Sequence, residues 1–396
     1  MEIVKRKLYR LVKWEYFWLC LLVLVTLALH FAIINNPTEP AFDETHYVKD
    51  ARLILSGQGS ERMEHPPLGK LLVAFGMYLF GDKPLGWRIF PILFGTAGII
   101  FFYLICRRLA LSRRVSFLAT FILATENQSF IQASIGMLDV FCVTFMLAAF
   151  WCYLRKDYAF SGVAICLAAL TKLTAVLAFP AILLHWLLVR RDRPAHFTAS
   201  MVLVPLLFVM LTLLFNSVIF RRLVDPFSEI VGLFTLSESL TFATVTHPFA
   251  LRPWDWLLIP LLVPYWYIPH YIGSISFSLW ALIIPTAIYL GFRAWQRKPD
   301  GIFASLWFAS TYLLWLPLDI ITDRVTYPYY FYPSVGAIAL GLGVALSRLL
   351  DVWQTRKSGK LRWVAIISVA LFLLIHIGIF VTLSPLTSYW KYPLPQ

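Results

Sequence analysis

Asp43, Glu44 and His46, then His65-Pro66-Pro67-Leu68-Gly69-Lys70, then Gly86-Trp87-Arg88 crowd ionisable groups into residues 42–88. The chain around them is 60% hydrophobic and only 14% charged. Polar groups set against a membrane cost free energy, so such a block points to function. An ionised carboxylate can take the proton of an attacking hydroxyl. Lysine and arginine can hold a phosphate, arginine in bidentate fashion. Each residue also has a plainer use. Asp43 and Glu44 suit the first turn of a helix as cap and dipole partners. His65 suits a helix start, and Lys70 can snorkel to the interface. Farther along, Asp139 enters an apolar stretch, and Lys172 sits between two of them in Thr-Lys-Leu-Thr. Glu126, Asn127 and Gln128 are candidates to line the same vestibule. Arg252 and Arg324 lie in long polar connections, Arg324 close to Asp319 and Asp323.

These residues need a membrane scaffold to position them. A crossing helix takes about 20 apolar residues. The spacing predicts eleven spans, at 15–34, 88–106, 115–133, 137–154, 160–172, 174–189, 198–220, 274–292, 301–320, 329–349 and 362–383. No small-residue cleavage site follows the first, which reads as a retained helix. With the N-terminus cytoplasmic, 22 of the 34 Lys and Arg fall inside, among them Lys5, Arg6, Lys7, Arg10, Lys13, Arg356 and Lys357. Of the 21 Asp and Glu, 15 fall outside. The net charge of +13 is therefore a topology signal. It gives no reason to expect nucleic-acid binding, which asks for one basic patch. Cys20, Cys106, Cys142, Cys152 and Cys166 sit in apolar spans at no metal spacing and read as small hydrophobes.

Two long stretches, 35–87 and 221–273, are expected outside. In the first, apolar residues recur at helical spacing from Phe42, and Gly57 and Gly59 stop that helix. Pro66-Pro67 opens a second helix, which runs to about Phe80 before Gly81. At that length it does not cross and is expected to be interfacial or re-entrant. The second stretch is rich in Pro, Trp and Tyr, which favour the headgroup level, so it is expected along the surface as cover for a groove.

Taken together, these residues resemble the protein O-mannosyltransferase family, glycosyltransferase family 39 of the membrane-embedded GT-C class. Phe42-Asp43-Glu44-x-His46-Tyr47 is similar to its first-loop acidic motif, and His65–Lys70 to its most specific block. Gly86-Trp87-Arg88, Gln132–Asp139, Thr171-Lys172, His247-Pro248 with Arg252-Pro253-Trp254-x-Trp256, and Arg324 with Tyr329–Pro333 resemble later motifs. The resemblance implies an all-α, GT-C-type membrane bundle in one domain, 1–396. It implies transfer of a hexose, most often mannose, from a polyprenyl (dolichyl) phosphate to a hydroxyl, with inversion. The acceptor is Ser/Thr of an exported protein or a hydroxyl of a lipid or glycan. Asp43 would be the base and Glu44 would position sugar or acceptor. His65, Lys70, Arg88, Lys172 and Arg324, with Asp139 and Arg252, would surround the donor. No metal or other cofactor is implied, and some relatives pair as dimers. Ser134 stands where the family has an arginine, and the large soluble insertion of eukaryotic members is missing. A transporter is the alternative of another class, but transporters collect polar groups near the midplane.

Overall fold

A computed structural model describes residues 14–355 and 359–387. The basic residues at 5–13 and 356–357 counted above lie outside these. The chain folds as a bundle of helices. Six are long and apolar enough to cross a membrane, or seven if one bent pair counts as a span. The eleven expected crossings all fall on helical segments, but several are shorter than a full span. Phe17–Ile33 (α1) and Tyr158–Thr171 (α8) are examples.

The first long loop forms as its sequence dictates. Helix α2, Glu44–Ser56, carries Glu44 in its first turn and ends at Gly57 in the left-handed region, φ +78°. Helix α3, Pro67–Phe80, starts on a proline whose missing N–H costs nothing there. A Cβ on Gly57 would stand 2.5 Å from the Arg221 guanidinium, which donates to the Leu55 carbonyl at 3.2 Å. Glycine therefore lets the first loop dock on the end of the long helix Pro194–Phe220 (α10).

Helix α4, Pro84–Arg108, follows. The expected span 115–133 is instead broken into α5, Arg113–Ala124, and α6, Asn127–Ser134. The break has a clear cause. The Glu126 carboxylate accepts from the Gln128 and Ser129 N–H groups at 3.1 and 2.7 Å, a helix N-cap. It also accepts from the Ser276 N–H at 2.8 Å. Glu126, Asn127 and Gln128 are fully buried, so they hold the bundle together and do not line a vestibule. Helix α7, Leu138–Leu154, leaves α6 at 113°. Helix α9, Leu173–Arg190, completes the middle of the bundle.

The second long stretch is corrected more strongly. It forms helix α11, Pro226–Glu238, and a short antiparallel hairpin, β1 Pro264–Trp266 with β2 Tyr271–Ile272. Trp256, Tyr265 and Tyr271 are buried in the core, not spread along a surface. Segment 240–251 is laced to 323–326 by backbone bonds, including Phe242 N–H to Asp323 O at 2.9 Å and Leu251 N–H to Thr326 O at 3.0 Å. The last helices are α12 Ile283–Trp295, α13 Pro299–Thr322, α14 Pro328–Thr355 and α15 Lys360–Leu383. Phe102, Phe150, Phe303 and Trp307 interlock at their centre, edge to face for most pairs. Cys106, Cys142 and Cys166 are buried among apolar side chains and Cys20 is exposed; all five cysteines are free.

Candidate active site

Asp43 stands immediately before α2, and the backbone around it is forced. Phe42 has φ +52°, an unfavourable region for a bulky residue. Its ring is clamped by stacking on Tyr265, 4.1 Å between centroids and 6° from parallel, and by the edge of Tyr329 at 5.9 Å. Gln132 in turn donates to the Tyr265 hydroxyl at 2.9 Å.

Glu44 locks the same turn from inside. Its carboxylate accepts from Ala41 N–H at 3.0 Å, Gly136 N–H at 2.8 Å, and Arg88 Nε and Nη2 at 3.1 and 2.8 Å. A carboxylate offers about four such positions. Arg88 gives its other N–H groups to the carbonyls of Ile34 and Pro37, both at 2.7 Å, and Glu39 at 3.1 Å. All five donors of a guanidinium are then used. Both side chains have no exposed surface. This corrects two expectations. Arg88 has no donor left for a phosphate, and Glu44 has no acceptor left for a sugar. Together they fix the 34–44 turn against the α6–α7 bend.

Lys70 is corrected likewise. Its ammonium donates to Ser60 Oγ and the Arg62 carbonyl, both at 2.7 Å, with Asp50 at 3.7 Å, and it is 2% exposed. It braces the 57–66 segment from within. Arg252 forms ion pairs with Asp319 at 2.8 Å and Asp323 at 2.7 Å and lies 4.0 Å over the Phe242 ring. It ties the second loop to α13. Asp139 receives both contacts of Lys172, each 2.8 Å, and holds that lysine, so it is a positioning group and does not line the groove. Ser134, at the position of the family arginine, bonds to His30 Nδ1 at 3.0 Å inside the bundle.

What remains converges. Lys172, His65 and Arg324 line one groove of about 560 Å³. Its walls are mostly apolar, with Leu173, Val176, Leu177, Phe234, Trp315 and Leu318, and Glu64 and Glu238 also line it. Lys172 lies over Tyr330 at 4.7 Å and Tyr329 at 5.5 Å, so its ammonium is held by a carboxylate and two ring faces. Two of its three N–H donors meet Asp139, which leaves one for the groove. His65 contacts the Tyr47 hydroxyl at 3.4 Å. Burial, then the charges of Lys172, Lys70, Arg324 and Arg62, push its pKa well below the usual histidine value, so it is neutral near pH 7.

Asp43 is near enough for its charge to interact with Lys172, Asp139 and Arg62. Burial and Asp139 raise its pKa and Lys172 and Arg62 lower it, leaving it at about 6. Among the described residues no hydrogen-bond donor occupies its carboxylate. A base poised near neutral pH with open lone pairs suits proton abstraction. Among the described residues no three His, Cys, Asp or Glu side chains are grouped so as to hold a metal ion, and the positive charge at the groove is that of lysine and arginine.

Sequence reasoning gave no site role to Tyr265, Arg62 or the apolar wall residues and quoted Tyr47 only within the acidic motif. The aromatic and aliphatic ones have a weak signal, since such residues are everywhere in this chain.

Residues 64–220 match the family model described as dolichyl-phosphate-mannose-protein mannosyltransferase. A polyprenol-phosphate-mannose–protein mannosyltransferase of Corynebacterium glutamicum is 35% identical over 155 residues, 35% of this chain and 30% of that protein. The chain thus matches under a third of that relative's length. Among solved structures, the S. cerevisiae protein O-mannosyltransferase Pmt1-Pmt2 complex bound to the sugar donor aligns with TM-score 0.74 at 12% identity. That alignment covers 94% of this chain and 90% of the other. ArnT from Cupriavidus metallidurans bound to undecaprenyl phosphate aligns with TM-score 0.64 at 18% identity, covering 94% and 74%. The chain is a multi-pass membrane protein that shares its fold with these solved structures, and its residues 64–220 match the family model described as dolichyl-phosphate-mannose-protein mannosyltransferase.

Proposed function

We propose that this protein transfers a hexose, most simply mannose, from a polyprenyl phosphate to a hydroxyl acceptor. One observation carries the reading: Lys172, which lines a largely apolar groove with Arg324 and His65, also acts electrostatically on Asp43, a base with pKa about 6. The groove walls suit a prenyl chain, whose burial is favourable in proportion to its apolar area. Lys172, with Arg324 and neutral His65 beside it, suits the phosphate.

The chemistry follows in one displacement. Asp43 takes the proton of the acceptor hydroxyl as its oxygen attacks the anomeric carbon. The bond from that carbon to the phosphate oxygen breaks, with inversion. The electron pair leaves on the polyprenyl phosphate, and Lys172 stabilises the added charge, which grows toward the transition state. No protein-bound sugar forms. The site faces away from the cytoplasm in this reading, consistent with the Lys and Arg asymmetry.

Protein hydroxyls are the acceptor favoured by the matched family segment. Transfer to a lipid or glycan is the second reading. Purified protein in liposomes, given radiolabelled polyprenyl-phosphate mannose, should move label into a Ser/Thr peptide. Label recovered only in lipid or glycan supports the second reading. Solute uptake without any transfer would reject both in favour of a transporter.

A further inference from the structure

A second large opening lies at the other end of the bundle. It is a cleft of about 640 Å³ lined by the rings of Trp14, Trp18, Tyr103 and Phe117 and by Glu15, Arg113 and Arg114. Helix α4 carries Arg88 at one end and Arg107 at the other, about 28 Å apart at 1.5 Å rise per residue. Arg88 belongs to the Asp43 turn and Arg107 to this cleft, so the cleft and the groove are separate places.

The rings and the charges come from different elements. Tyr103 of α4 is buried, and its hydroxyl donates to the Glu15 carbonyl at 3.4 Å. Trp18 of α1 meets the Phe117 ring of α5 edge to face at 6.2 Å. Trp14 and Trp18 nevertheless stay 51% and 48% exposed. Tryptophan placed so favours the headgroup level of a bilayer. Arg107 donates to the Glu15 carboxylate at 2.9 Å, and Arg113, more than half exposed, stands 3.6 Å from its other oxygen. Arg114 pairs with Asp351 of α14 and donates to Ser347 Oγ at 3.0 Å and Gln354 Oε1 at 3.1 Å. Three arginines thus face two carboxylates, and the cluster stays cationic. The chain enters the cleft at Trp14 directly after a stretch of sequence with Lys5, Arg6, Lys7, Arg10 and Lys13.

We propose that this cleft binds an anionic glycerophospholipid. Its phosphate meets Arg113, whose guanidinium can give two parallel N–H bonds to phosphate oxygens. Arg114, held by α14, adds a fixed positive charge. Its glycerol lies against Trp14 and Trp18, and an acyl chain follows α1. Along that helix Leu21 and Val25, 44% and 48% exposed, continue the Trp18 face at helical spacing. Basic residues beside a membrane helix attract anionic lipid. A soluble anion would use the arginines and leave both indole rings uncovered. A zwitterionic headgroup would bring an ammonium against the arginines, which repel it. Bound there, the lipid joins α1 to α5 and stabilises the fold in proportion to its occupancy.

The test titrates the purified full chain in detergent with phosphatidylglycerol, phosphatidylcholine or glycerol 3-phosphate. Native mass spectrometry counts the adducts, and thermal unfolding is followed in parallel. Phosphatidylglycerol should bind about tenfold more tightly than phosphatidylcholine and raise Tm with concentration. Arg113→Gln should weaken phosphatidylglycerol about fivefold, the effect of one basic residue near a membrane surface. Arg113→Lys should keep most of the binding. The Arg113–Glu15 pair is long and exposed, so Tm without lipid should hold in both variants. Arg52→Gln removes an exposed arginine paired with Asp82 in the first loop and should leave lipid binding unchanged. Equal binding of the two phospholipids overturns the site. Equal losses in Arg113→Gln and Arg52→Gln also overturn it, in favour of diffuse charge. Glycerol 3-phosphate bound as tightly as phosphatidylglycerol overturns the lipid in favour of a soluble anion.

Discussion

In the proposed transfer Asp43 and Lys172 carry the chemistry, and they are held in different ways. Asp43 has open lone pairs and a pKa raised by burial to about 6. It must be ionised to act, so kcat/KM should fall as pH drops through about 6 and level off above it. A profile flat from pH 5 to 8 would remove Asp43 as the titrating base. Lys172 is tied to Asp139 at 2.8 Å, so Lys172→Ala alone leaves a buried carboxylate unpaired. That loss costs about 3–5 kcal/mol of stability. The double variant Lys172→Ala/Asp139→Asn removes the penalty and isolates the phosphate contact. Its donor KM should rise at least tenfold, with stability close to wild type; an unchanged donor KM would place the phosphate elsewhere. The acidic pair and the lysine were legible in the sequence as candidates. The resemblance gave Asp43 the base's role and Glu44 a substrate contact; that Glu44 packs inward instead was not legible, because adjacent residues point in different directions. Only the fold shows that Glu44 faces inward.

At the scale of elements, the Glu44–Arg88 pair joins the start of α2, the start of α4 and the α6–α7 bend. Removing one partner strands the other in a fully buried site. Arg88→Met should lower stability by about 3–5 kcal/mol and reduce expression of folded protein. Activity lost in Arg88→Met with unchanged thermal stability would instead mean that Arg88 touches substrate. The helix boundaries in residues 42–88 were readable, because Gly57, Pro67 and Gly81 each have a local reason to stop or start a helix. The break at Glu126 was not. An acid inside an apolar stretch reads as a lining residue until the next turn is seen hydrogen-bonded to it. The second long loop misled for a related reason. Trp and Tyr are at home both at a membrane surface and in a core, and composition does not separate the two.

At the scale of the molecule, both long loops and the groove between them lie with Asp43 and Lys172. Ion pairs such as Glu15–Arg107 and Lys156–Asp192 tie down the short connections instead. Hydropathy made the membrane bundle plain, and charge asymmetry suggested its orientation. The number of full crossings was less legible, because helices shorter than a bilayer's thickness still pack inside a bundle. The orientation is open to a direct check. A cysteine at position 49 should react with an impermeant maleimide on intact cells, above the background of the parent, and one at position 155 should not. The reverse pattern would invert the topology. Because Lys172 and Arg324 supply the charge at the groove, transfer should also persist in EDTA. Loss of activity in EDTA restored by a divalent ion would require a metal in the reaction.

The most direct measurement compares wild type and Asp43→Asn with radiolabelled polyprenyl-phosphate mannose and a hydroxyl acceptor, scoring donor binding and single-turnover transfer separately. Asp43→Asn should bind the donor as tightly as wild type and transfer roughly 10²- to 10⁴-fold more slowly. Wild-type transfer rates in the folded variant would contradict Asp43 as the base.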